Sequence, residues 1–249
     1  MKQVVKTIFG CYAVIVFSLS LLLVFVGYFF IFSFCAKQKA PHIAHALSRR
    51  WAAFLFGAFF LRYKIQGKEK IDKNQTYVFV ANHKSTLDIP LYALACENTF
   101  RFLSKAELAK IPLLGYVIRN LYITVNRSDK LDRHRSIDAM RRCIDQNISV
   151  FLCPEGTRNI SDNLLTEFKD GAFRLAIATQ KPLAVLTVFD TDVYSSAKNS
   201  IALKPGTIHA LWDEPISTLG MTEKDVPELK EKVRLMMLEN LERFKNTQG

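Results

Sequence analysis

The residues best suited to chemistry lie in Asn82-His83-Lys84-Ser85-Thr86-Leu87-Asp88. His83 is the one side chain there that takes up and returns a proton near neutral pH. Asp88 follows five residues later. In a regular helix that step turns the chain by ~500° and leaves the two side chains about 140° apart. They meet only if His83 sits in a turn and Asp88 in the first turn of a following helix. The flanking runs suit this: 76–81 reads as strand and 89–95 as helix. Ser85 or Thr86 can cap that helix, whose start favours an acid. Asp88 would then hold one imidazole nitrogen and leave the other free as a base, the orienting role of an aspartate in a catalytic triad. The plainer alternative, a loop histidine near a helix-start acid, is the default for this pair by itself.

A second group surrounds Glu155-Gly156-Thr157-Arg158, where a glycine separates side chains of opposite charge. Glycine lets the backbone approach a ligand closely. Backbone N–H groups in such turns bind anions, and an arginine such as Arg158 can fork onto phosphate. Arg127 ends a neighbouring strand-like run and Lys105 a third. Each cation taken singly reads as a solvated surface charge; convergence on one edge would make a phosphate site. No Gly-x-Ser-x-Gly elbow occurs, and Ser85 lies close to His83 in the chain. The nucleophile is then the hydroxyl of a bound molecule, attacking an activated acyl group directly.

These residues need a scaffold. Runs 77–81, 100–104, 121–125, 149–153 and 183–188 read as strands, 63–67 as an edge strand, and part of 201–211 as one or two more. Helices are expected to about Glu97, over 113–120, from a Ser128 or Asp129 cap to about Gln146, and over 168–179. In the third of these Leu131, Ile137, Met140 and Ile144 should face inward. A final amphipathic helix spans 225–245. The alternation predicts an α/β fold with a mostly parallel central sheet flanked by helices. Residues just past the strand ends then gather at one edge, bringing His83, Arg127 and the 155–158 turn together.

The net charge of +11 and pI near 9.5 call for a negatively charged partner. The five scattered cysteines lack metal-site or redox spacing and read as reduced thiols. His42 and His45 share a helical spacing, lack a third ligand and read as surface histidines. No charge falls between Lys6 and Lys37. A helix over ~27 of those residues would be about 40 Å long, more than the ~30 Å hydrocarbon core requires. It reads as a retained membrane segment whose flanking lysines and arginines put the C-terminal side in the cytoplasm. A second apolar stretch, 51–61, is too short to span and reads either as an interfacial helix, with Trp51 at headgroup depth, or as a buried one. Residues 1–62 are thus expected as an anchor and 63–249 as the catalytic domain.

The motifs, in this order, resemble those of the glycerolipid acyltransferases of the 1-acylglycerol-3-phosphate O-acyltransferase (PlsC) type. Asn82, His83 and Asp88 match the first motif. Tyr122-Ile123-Thr124-Val125-Asn126-Arg127 is similar to the second, and Cys153-Pro154-Glu155-Gly156-Thr157-Arg158 to the third, with cysteine in place of phenylalanine. In the fourth, one proline, Pro182, stands where the family tends to have two. The resemblance implies His83 as general base oriented by Asp88. It implies Arg127, Glu155, Gly156, Thr157, Arg158 and Lys105 around the acceptor phosphate. The acceptor would be lysophosphatidate and the donor an acyl thioester on coenzyme A or acyl carrier protein, with no metal or bound cofactor. The anchor would put the catalytic domain on the cytoplasmic face of a cell inner membrane or cytoplasmic membrane. Two alternatives stand beside this: transfer to another lyso-lipid, such as a lyso-ornithine lipid or lysophospholipid, and a non-catalytic membrane-anchored module binding anions. Nucleic acid is not expected as a partner, because base-stacking motifs are not apparent.

Overall fold

The computed structural model describes residues 2–126, 128–195 and 203–248. Two long helices come first, α1 (Lys2–Phe34) and α2 (Ala40–Ala58). The strands are β1 (Leu61–Gln66), β2 (Val78–Ala81), β3 (Phe100–Lys105), β4 (Ile123–Val125), β5 (Ser149–Leu152), β6 (Leu183–Val188) and β7 (Gly206–Trp212). Between and after them come α3 (Asp88–Ala95), α4 (Leu114–Leu121), α5 (Lys130–Asp145), α6 (Gly171–Thr179), a single turn α7 (Thr191–Tyr194), and α8 (Val226–Gln248). The strands form one sheet in the order β1-β7-β6-β2-β5-β3-β4. From β6 to β4 all neighbours are parallel, while β7 runs antiparallel to β6 and carries β1 alongside it at the edge. This is the mostly parallel, helix-flanked sheet expected from the alternation of elements.

The central strands β2, β5 and β6 are buried at every position and mostly apolar because both faces are covered. Phe79, Ala81, Phe151, Ala184 and Leu186 face α2 and α3. Val78, Val80, Val150, Leu152, Leu183 and Val185 face α5, α6 and α8. On the first face Phe151 stacks between Phe79 (centroids 5.7 Å apart) and Tyr92 (4.5 Å). On the second, Val233 and Met237 of α8 are fully buried. Ile137, Met140 and Ile144 of α5 pack inward as predicted, but Leu131 is 59% exposed. It precedes Met140 by nine residues, about 180° around the helix, and so falls off the buried stripe. Asp129 caps α5, its side chain accepting from Leu131 and Asp132 N–H.

The apolar stretch 51–61 forms the second half of α2 and the turn after it, with Ala52, Leu55 and Phe56 buried in the core. Trp51 stacks on Phe17 of α1 at 5.5 Å and donates to Ser20 Oγ at 3.0 Å. Tyr12 donates to the Ala58 carbonyl, Tyr28 pairs with Ser48 at 2.7 Å, and a methyl at Gly27 would come within 3.0 Å of Leu47. α1 is therefore seated along α2. Its opposite side, including Leu19, Leu23, Phe30 and Phe34, is bare and apolar. By length and composition, 8–34 is sufficient to cross a membrane.

His42 is exposed and bonds Thr99 Oγ1 at 2.8 Å, whereas His45, expected at the surface, is 5% exposed. It lies on the buried stripe of α2 with Ala44 and Ala52, its ring 4.6 Å from Phe100. Burial first, and the Arg49 charge second, push its pKa from 6.5 down to about 4. The unfolded chain therefore binds a proton below pH 6.5 that the folded chain refuses until about pH 4. The stability that neutral His45 contributes is complete above pH 6.5 and lost as the pH falls toward 4, about 3 kcal/mol over the window. We expect His45→Leu to flatten that part of the curve. Urea midpoints from pH 7 to 4 for the two proteins should diverge in slope, and parallel curves would exclude the assignment.

Candidate functional site

Parallel strands β6, β2 and β5 lie side by side, so the turns that leave their carboxyl ends touch. Asn82 extends the β2–β6 ladder with its side chain. Its amide donates to Val188 O at 2.7 Å and accepts from Val188 N–H at 2.8 Å, as a peptide group would. The next residue, His83, is held through its backbone by the turn after β5: its N–H donates to Glu155 Oε1 at 2.9 Å, and its carbonyl accepts from Asn159 N–H at 2.7 Å. Tyr92 of α3 donates its hydroxyl to the Asn82 carbonyl, and burial pushes this phenol well above its ordinary range.

Asp88 is the first residue of α3 and wholly buried. Its Oδ2 accepts from Lys84 N–H and Ser85 N–H, both at 2.8 Å, and lies 2.7 Å from His83 Nδ1. The tautomer that suits an oxygen already accepting from two backbone N–H groups has the hydrogen on Nδ1, and in it Nε2 is left as the acceptor. The pair thus meets as the five-residue spacing required. Neither Ser85 nor Thr86 caps α3. Asp88 folds back over the turn instead, and Ser85 Oγ accepts from Leu87 N–H while donating to the Ser195 carbonyl at 2.7 Å.

The 153–158 turn divides its residues between two directions. Gly156 has φ +75°, in the left-handed region that favours glycine, and its N–H closes the turn on Cys153 O at 2.9 Å. A methyl on Gly156 would meet only Lys169 Cγ, at 3.6 Å, so the backbone angle rather than crowding calls for glycine. Glu155, expected beside the acceptor phosphate, points inward. It is 4% exposed, with Oε1 on His83 N–H and Oε2 on both the N–H and hydroxyl of Thr166 at 2.8 Å. A carboxylate so engaged fixes the turn that carries His83. Gly156, Thr157 and Arg158 instead line a cavity of about 960 Å³, as do His83 and Lys105. Arg127 lies outside the described residues.

The same cavity is also lined by apolar side chains, among them Phe17 of α1, Trp51 and Phe56 of α2, and Val117, Ile118 and Met140. Its size and lining suit a largely apolar ligand with one polar end. Sequence reasoning did not anticipate Lys169 among its lining residues, nor Thr191, whose hydroxyl donates to Asp88 Oδ1. Thr191 follows the end of β6, so the rule that residues past strand ends gather was a signal pointing to it.

Residues 62–189, half of the chain, match the family model described as Acyltransferase. The 1-acyl-sn-glycerol-3-phosphate acyltransferase BAT2 of Brassica napus is 28% identical over 79% of this chain and 56% of its own length. The corresponding mouse (Mus musculus) alpha enzyme is 30% identical over 75% of this chain and 65% of its own. That of Saccharomyces cerevisiae is 29% identical over 72% and 59%. The chain thus spans between about half and two thirds of these curated relatives. The crystal structure of the 1-acyl-sn-glycerophosphate (LPA) acyltransferase PlsC from Thermotoga maritima superposes with a TM-score of 0.84, covering 98% of both chains at 22% identity, and shares the fold. The chain belongs to the acyltransferase family.

Proposed function

We propose that this protein is a 1-acylglycerol-3-phosphate O-acyltransferase. It transfers an acyl group from a thioester on coenzyme A or acyl carrier protein to the free hydroxyl of lysophosphatidate, giving phosphatidate. The observation that carries this reading is that one cavity holds the His83 base, the cationic side chains Lys105 and Arg158, and a long apolar wall. Lysophosphatidate is a phosphate and a hydroxyl joined to an acyl chain, and each part finds its complement there. The relatives from Brassica napus, mouse and Saccharomyces cerevisiae are 1-acyl-sn-glycerol-3-phosphate acyltransferases, which supports the same reading.

In the proposed reaction the acceptor phosphate rests on the N–H groups and side chains of 156–158, with Arg127 and Lys105 adding charge. The acceptor hydroxyl then lies against His83 Nε2. As the oxygen attacks the thioester carbonyl, its proton passes to Nε2 and the carbonyl electrons move onto oxygen. Collapse of that tetrahedral species expels the thiolate, which takes the proton back from Nε2. Asp88 keeps the imidazole in the required tautomer and stabilises the transient imidazolium. Glu155 acts from behind, holding the turn that aims His83. Fixing both reactants in place supplies part of the barrier lowering, up to about 7–11 kcal/mol in well-oriented systems.

The bare apolar side of α1 is the part of the surface that a lipid phase would cover. Because α2, which carries Arg49 and Arg50, stays packed along α1, a full crossing would draw those charges inward. We therefore place the hairpin in one leaflet, with the catalytic sheet on the cytoplasmic side. A lyso-lipid already in that leaflet would then reach the cavity without passing through water.

Purified protein assayed with labelled acyl thioesters against a panel of lyso-lipids should favour lysophosphatidate. His83→Ala should cost about 10²–10⁴-fold in rate with an unchanged unfolding temperature. Activity near wild type would exclude a base at this position. Arg158→Ala should raise KM for lysophosphatidate about tenfold and change kcat less, as expected for lost phosphate binding worth about 1.4 kcal/mol. An unchanged KM would remove Arg158 from the phosphate site.

A further inference from the structure

We propose that Thr191 is a positioning residue for this reaction, its hydroxyl holding the far oxygen of Asp88 and thereby fixing the carboxylate against His83. The inference rests on the acyl-transfer reading above.

Oδ2 of Asp88 is amply supplied with donors, whereas Oδ1 has one hydrogen bond among the described residues, from Thr191 Oγ1. Both residues are sealed from solvent, Asp88 at 0% and Thr191 at 1% exposed. No bulk water can replace the hydroxyl. A carboxylate held at one oxygen can swing about its last torsion. Held at both, it presents Oδ2 to Nδ1 in one orientation.

The turn that carries Thr191 is itself clamped. Asp190 accepts from the His209 backbone N–H through Oδ1 and from His209 Nδ1 through Oδ2, both at 2.8 Å, which locks the start of the turn to β7. Asp192 lies 3.7 Å from Lys84 Nζ, and the Ser195 carbonyl accepts from Ser85. The 190–195 segment therefore touches the 83–88 turn at residues 84, 85 and 88, across more than a hundred residues of chain. A hydroxyl delivered by so braced a turn has little freedom to leave Asp88.

The chemical consequence has a definite sign. A donor on Oδ1 stabilises the full negative charge of Asp88, which is most exposed when His83 is neutral. Its loss raises the proton affinity of the His83–Asp88 pair, so the base is blocked at a higher pH. The other titratable or charged groups around the pair remain in place in such a variant. They are Glu155, the Lys84–Asp192 pair, the Asp190–His209 pair, Tyr92 and Cys153 in the protein, and Lys105, Arg158 and Lys169 along the cavity.

Thr191→Val removes the hydroxyl at nearly constant volume, and Thr191→Ala serves if valine does not fold. Full-length wild type, these variants and Thr191→Ser are compared in detergent or vesicles with lysophosphatidate and an acyl thioester. The His83 ring is titrated in parallel by NMR, a readout that does not depend on turnover. We expect kcat to fall about fivefold or more, short of the ~10²–10⁴-fold lost with the base itself, while KM changes less than about twofold. The acid limb of kcat/KM and the His83 titration should both move up by about half a pH unit, and Thr191→Ser should restore both. A valine or alanine variant that folds with an unmoved His83 titration overturns the inference, as does a failed rescue by serine. A wild type that transfers no acyl group, with the His83 titration still shifted in the variant, overturns the functional reading and leaves the positioning role standing.

Discussion

A carboxylate removed from water must find donors for its charge or take up a proton. Asp88 meets that requirement by collecting hydrogen bonds from the backbone of its own turn, from the His83 ring and from a turn on another strand. The remainder of the active edge follows from satisfying it. The β2 turn must curl tightly enough to aim Lys84 and Ser85 N–H inward, which brings His83 over Oδ2. The β6 turn must come close enough to deliver Thr191, and the Asn82–Val188 amide pair sets that spacing. A parallel arrangement of β6, β2 and β5 is the economical way to do this. All three chains leave the sheet on the same side, and their turns become neighbours without any long connection crossing the edge.

A second buried carboxylate repeats the principle one strand over. Glu155 spends its oxygens on His83 N–H and Thr166, so the turn after β5 and the turn after β2 are joined through a charge. Hydrogen bonds to an ionised group are among the stronger ones, and leaving such a charge without its partner is costly. His83 is thus gripped at its ring by Asp88, at its N–H by Glu155 and at its carbonyl by Asn159. Three separate grips on one residue restrict an imidazole far more than its own rotamer preference does.

Features that depend on near neighbours were legible in the chain. The five-residue step from His83 to Asp88 was enough to require a turn followed by a helix start, and the apolar strands announced a sheet covered on both faces. What remained hidden depends mostly on distant partners. Thr191 lies 103 residues from Asp88, and its place past the end of β6 put it near the edge without naming that partner. The direction of Glu155 depends on its partners, His83 N–H and Thr166, which lie outside its own motif, while Arg158 lines the cavity. Glycine in the sequence advertised the turn but not which side would face the ligand. His45 looked like surface because the first half of α2 is polar enough to obscure the stripe, running through Ala44 and Ala52, on which it lies.

The hairpin of α1 and α2 has a role that an anchor alone would not need. Phe17, Trp51 and Phe56 wall the same cavity that His83 and Lys105 line. Without the hairpin the apolar part of that cavity would lie open to water. A chain of methylenes would gain little by entering it, since its stabilisation comes from removing about 25 cal/mol of exposure per Å². On the proposed reading the sheet edge supplies the base and the cations, and Val117, Ile118 and Met140 supply only part of the apolar wall. The hairpin supplies depth but carries no groups that can move a proton at the reacting atoms. On the proposed reading, an amphiphile with a phosphate at one end and a hydrocarbon tail at the other requires both walls together. The close fit of α1 on α2, with Gly27 against Leu47 and Tyr28 on Ser48, is then as much a condition for binding as the cations are.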